Sequence, residues 1–103
     1  MKGKTQIKMD FAKANKDAKK LDTIADQLQR LANTDFEKTM LNLSAAWTGD
    51  NSRIFLQKEG LVQDDIKKTA VNLRNVAADI RRVAKRIYEA EMRAYEIARR
   101  RKT

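Results

Sequence analysis

The sequence predicts an all-α fold: an antiparallel helical hairpin that dimerises into a four-helix bundle. Three observations carry that expectation. Apolar residues recur at alternating steps of three and four through most of the 103 residues, the period of a helix face rather than a strand. With 36% charged residues, only 6% aromatic residues and no proline, the composition suits long solvated helices. The single cluster of turn formers, Thr48-Gly49-Asp50-Asn51-Ser52, stands near the middle of the chain.

The first helix is expected over about 10–46. The Asp10 carboxylate can cap it by accepting an otherwise orphaned backbone N–H. Phe11, Ala14, Ala18, Leu21, Ala25, Leu28 and Ala32 then form a stripe, widened by Ile24 and Leu31. Phe36, Met40, Leu43 and Trp47 continue it mostly at steps of four, a small slip of register. The elbow occupies 47–50. Trp47 is the only tryptophan and is expected to be an anchor plugging the end of the hairpin, with a half-exposed ring in a recognition surface as the second reading, while Gly49 can take the positive φ a reversal needs. A connection this short makes the two helices antiparallel neighbours.

The second helix is expected over about 51–100. Phe55, Glu59, Val62, Ile66, Thr69, Leu73, Val76, Ile80, Val83, Ile87, Ala90, Ala94 and Ile97 keep the alternation almost unbroken. Gly60 weakens a helix by about 1 kcal/mol relative to alanine. The stripe does not change phase across it, so the helix is expected to continue. This stretch is longer than the first, and its end should project past the hairpin. A lone hairpin has no further layer to cover two apolar stripes, so a partner is expected. Leu28, Phe55, Leu73, Val76 and Ile80 are the positions expected to face it.

Several chemistries are excluded or disfavoured. The chain has no cysteine and no histidine, which removes Ser-His-Asp and Cys-His nucleophiles and leaves no reason to expect a zinc or transition-metal site. Acid pairs such as Asp64-Asp65 and Glu89/Glu91 have basic neighbours on solvated helix faces, where weak ion pairing is the expected role. No catalytic residue, no metal site and no cofactor is therefore expected. The first residues carry charge but no apolar segment of the kind a cleaved signal peptide uses, and no apolar run approaches a membrane span.

The net charge of +9 is unevenly placed. Residues 1–66 carry a net +1, and residues 67–103 a net +8. Arg81, Arg82, Lys85, Arg86 and Arg93 form a candidate docking patch for an acidic partner. The same basic helix supports an alternative function, binding nucleic acid through its phosphates.

Leu43-Ser44-Ala45-Ala46-Trp47-Thr48-Gly49-Asp50-Asn51-Ser52-Arg53-Ile54-Phe55 resembles the WXG-motif family, the ESAT-like small proteins of type VII secretion systems. Trp47 and Gly49 supply the motif, and Ser52 and Phe55 fall where the family often carries a small residue and an aromatic. The likeness spans the chain, with the motif central between two long amphipathic segments. It implies a non-enzymatic protein of Gram-positive bacteria, made in the cytoplasm and secreted folded, without a cleaved signal, by a membrane ATPase complex. It implies pairing with a second hairpin, as homodimer or heterodimer, or escort of a larger toxin with a helical N-terminal domain. Family export signals pair a tyrosine with an acidic residue four positions on. Here Tyr88 is followed at that distance by Met92 and Tyr95 by Arg99. A degenerate signal would use Tyr88 with Glu89 or Glu91, and the departure favours a partner chain that carries the signal.

Overall fold

In the computed structural model, residues 2–35, 37–38, 41–42 and 49–101 are described, without the side chains of 35, 50–52 and 55. Their regular structure is entirely helical, as an all-α hairpin requires. Helix α1 spans Lys4–Arg30 and runs into a π-helical turn at Leu31–Asp35. Helix α2 spans Asp50–Arg101 and passes through Gly60 without interruption.

Helix α1 begins at Lys4 rather than near Asp10. Its first turn is anchored by Ile7, which is 2% exposed and whose N–H donates to the Gly3 carbonyl at 3.1 Å. Asp10 therefore lies inside the helix and does not cap it. Its carboxylate accepts instead from Gln6 at 2.7 Å and pairs with Lys2 at 2.8 Å. The π turn falls where successive steps of four, from Leu28 to Ala32, Phe36 and Met40, interrupt the three-four alternation of the sequence. A π turn absorbs an extra residue in a helix, which is a way to accommodate such a slip. Phe36, Met40, Leu43 and Trp47 lie outside the described residues.

The packing divides into two compact units, Met1–Leu21 with Asn75–Thr103, and Asp22–Arg74. In the first, the start of α1 runs antiparallel to the end of α2. Lys2 reaches Glu91 at 3.3 Å, and Phe11 stacks on Tyr88 with ring centroids 4.7 Å apart. Its buried apolar residues are Ile7, Ala18, Ala77 and Ala84. In the second unit, Arg74 pairs with Asp26 and donates to the Gln29 amide oxygen at 2.7 Å, while the Gln63 amide donates to the Ala32 carbonyl. Ala25, Ala32 and Ala70 are buried there.

The buried face of α2 differs from the stripe the sequence suggests. Ala70, Ala77 and Ala84 are buried at heptad spacing, each one residue after a member of the series Thr69, Val76, Val83. One residue is a rotation of about 100° around a helix. Val62, Val76, Val83, Ile87 and Ile97 are consequently exposed, between 44% and 52%. Alanine wins these positions because a methyl group lets two helix backbones approach closely, whereas a valine would hold them apart. On α1 and the π turn after it the stripe agrees better: Ala18, Ala25 and Ala32 are all buried.

Candidate interaction surface

The elbow belongs to the second unit. Gly49 has φ of +103°, and its carbonyl accepts the Arg53 N–H at 3.4 Å, at the start of α2. A Cβ built at Gly49 would meet nothing within 4 Å, so the demand for glycine there is conformational and not one of space. Trp47, its partner in the motif, is outside the described residues, as is the Phe55 side chain.

Within the first unit, α1 and α2 leave an open groove of about 550 Å³. Ala14 and Ala84 line it with Ile80, Val83 and Ile87, so small residues stand beside branched ones. Lys2 lies at its rim between two acids, its ammonium 2.8 Å from Asp10 and 3.3 Å from Glu91. Hydrogen bonding to Asp10 and then Glu91 raises the Lys2 pKa above its ordinary value. The same contact with Lys2, followed by the Gln6 amide, lowers that of Asp10. On the outer face of α1, the hydrogen bond from Lys13 at 2.9 Å lowers Asp17 in the same way.

Of the residues expected to face a partner, Leu28, Leu73 and Ile80 are half-buried and Val76 is 48% exposed. Val76 and Ile80 both line the groove; Leu28 and Leu73 belong to the other unit. The residues named for an export signal are placed unequally. Tyr88 is half-buried against Phe11, and Glu91 holds Lys2, whereas Glu89 is exposed.

The basic patch separates into faces. Arg81 is half-buried, and Lys85 lies around the helix from Arg82, Arg86 and Arg93. Arg82 pairs with Asp79 at 3.0 Å, and Arg86 and Arg93 make no ion pair with any described residue.

Sequence reasoning missed the Lys2–Asp10–Glu91 cluster and the Phe11–Tyr88 stack. Both join positions more than seventy residues apart, and no local pattern marks them. The alanine heptad at 70, 77 and 84 was a signal that could have been read. Among the described residues no three acids gather as a metal site would require, and no helix is long and apolar enough to cross a membrane. Compared with known proteins, the chain matches no family model, no curated protein and no solved structure.

Proposed function

We propose that this chain is a small non-enzymatic secretion protein of the WXG type, which pairs through its exposed apolar face with a second helical hairpin or with the helical domain of a larger toxin. The observation that carries the reading is the row of exposed valines and isoleucines on α2. Val76, Val83, Ile87 and Ile97 are about half exposed while alanines fill the intramolecular seam. A helix that turns alanines inward and leaves these four branched residues half exposed is suited to burying them against another helix.

The elbow supports the secretion part of the proposal. A Trp-x-Gly sequence whose glycine holds a positive φ where α2 starts is what the resemblance calls for. The described part of the basic end supports a role beside a partner, since Tyr88 and Glu91 are engaged within the hairpin and the chain lacks a complete tyrosine–acid pair. Export is proposed as joint, with the partner supplying the signal to the secretion ATPase. The test is expression of the tagged chain in a type VII-competent Gram-positive host, with and without that host's own helical-hairpin secretion proteins. Appearance in the medium only when partner and ATPase are both intact is the expected result. Export that survives loss of the ATPase would overturn the proposal.

A further inference from the structure

We infer that the outer face of α2 between Val76 and Ile97 binds an amphipathic helix with acidic flanks; this rests on the partner-binding reading above and names the chemistry of the partner. Val76, Val83, Ile87, Ala90, Ala94 and Ile97 are all exposed, and after the first step of seven they alternate by four and three. That is the spacing of a seam that receives a second helix. The groove beside it, with alanines at 14 and 84 between branched neighbours, is an open trough with room for several side chains of that helix.

The flank of this ridge sets the charge of the occupant. Arg86, Arg93 and Arg100 follow Val83, Ala90 and Ile97 by three residues each, so the arginines repeat every seven and form one row. All three are exposed. The row lies on the side of the ridge opposite Ala77 and Ala84, away from α1, where flanking residues of an incoming helix would meet it. Arg86 and Arg93 have no ionic partner among the described residues. An acidic flank would supply one at each of these two positions.

Other occupants fit less well. Two copies related by a two-fold axis with these helices antiparallel bring the same flank together, arginine against arginine. A lipid surface is better met by bulky leucine, phenylalanine or tryptophan than by valine and alanine spaced for interdigitation. Nucleic acid would use the arginines and leave the ridge uncovered.

Two labelled synthetic helical peptides, about four heptads long, test this against the full chain by fluorescence anisotropy. Both carry leucine and alanine at the seam positions; one has glutamate and the other lysine at the flanking positions. The glutamate peptide is expected to bind about tenfold more tightly at moderate salt. Arg86→Glu with Arg93→Glu should reverse that preference. Val83→Asp with Ile87→Asp should abolish binding of both peptides while circular dichroism shows the helices intact. Lys85→Glu with Arg99→Glu removes the same charge from other faces and should leave the preference unchanged.

Equal binding of the two peptides overturns the inference. So does an equal effect of the Lys85/Arg99 control, which would mark unspecific attraction. Sedimentation as a dimer without peptide binding assigns the face to a second copy. Binding to phosphatidylserine vesicles or to labelled DNA, without peptide binding, assigns it to those instead; each of these results overturns it too. Export with no peptide preference would leave the secretion proposal standing and sink this one, and the opposite pair of results would do the reverse.

Discussion

Gly49 and Asp10 show how much a single position can decide in a chain with so little tertiary contact. At Gly49 the open space around the missing Cβ means that alanine would clash with no neighbour, yet its φ of +103° is one that L-residues avoid. Gly49→Ala is expected to lose roughly 1–2 kcal/mol, the usual penalty for a left-handed L-residue. Urea unfolding followed by circular dichroism measures it, and an unchanged midpoint would count against the elbow as a conformational constraint.

Asp10 and Lys2 make a pH prediction. The Asp10 pKa is lowered in the folded chain, so its contribution is present above its unfolded value and disappears as pH falls through the folded one. The Lys2 pKa is raised, so its contribution is present below its unfolded value and is lost as pH rises through the folded one. Between those limits the contact is intact. Lys2→Met should move the Asp10 carboxyl titration, followed by NMR, upward toward ordinary aspartate. Both groups are exposed, so the global stability change should be small.

At the scale of the element, α2 has two apolar faces that differ in the size of their side chains. Ala77 and Ala84 are buried, and Val76 and Val83 beside them are about half exposed. Enlarging the first face should therefore hurt and shrinking the second should not. Ala77→Leu is expected to destabilise the chain by about 1–3 kcal/mol through overpacking. Val83→Ala should change stability by less than about 0.5 kcal/mol. Denaturant titrations of the two variants compare them directly; similar losses in both would mean the seam is not where the alanines are.

The same contrast explains what could be read from the sequence. The period of α2 gave its helical nature and its passage through Gly60, because period depends on backbone geometry alone. The inner face within the hairpin was not legible from hydropathy, which ranks valine and isoleucine above alanine, because the choice of that face followed side-chain size. On α1 and the π turn after it the buried alanines and the expected stripe coincide, since Ala18, Ala25 and Ala32 lie within it. The start of α1 was also missed. Ile7 is one apolar residue in a run of charges, and only its contact with the rest of the unit reveals it as an anchor.

For the whole molecule, the consequence is a hairpin short of stabilising burial. Among the described residues the buried apolar set is six alanines and Ile7, and Ile7 is the one large side chain that is fully buried. Apolar burial contributes on the order of 25 cal/mol per Å², and a methyl group offers little area. The ion pairs cannot make up the difference, because Lys2–Asp10, Lys13–Asp17 and Arg82–Asp79 all join partly or largely exposed groups. Val76, Val83, Ile87 and Ile97 are about half exposed, so the folded state should draw further stability from whatever covers them. A ligand that binds only the folded chain, present at a hundred times its dissociation constant, adds about 2.7 kcal/mol to unfolding. Saturating the chain with the glutamate-flanked peptide should therefore raise its unfolding free energy by about that amount. The gain should vanish in the Val83→Asp, Ile87→Asp variant, whose ridge is spoiled but whose alanine seam is untouched. Calorimetric scans with and without peptide make the comparison. A chain that melts at the same temperature in both would mean the exposed ridge is not a binding face for that helix.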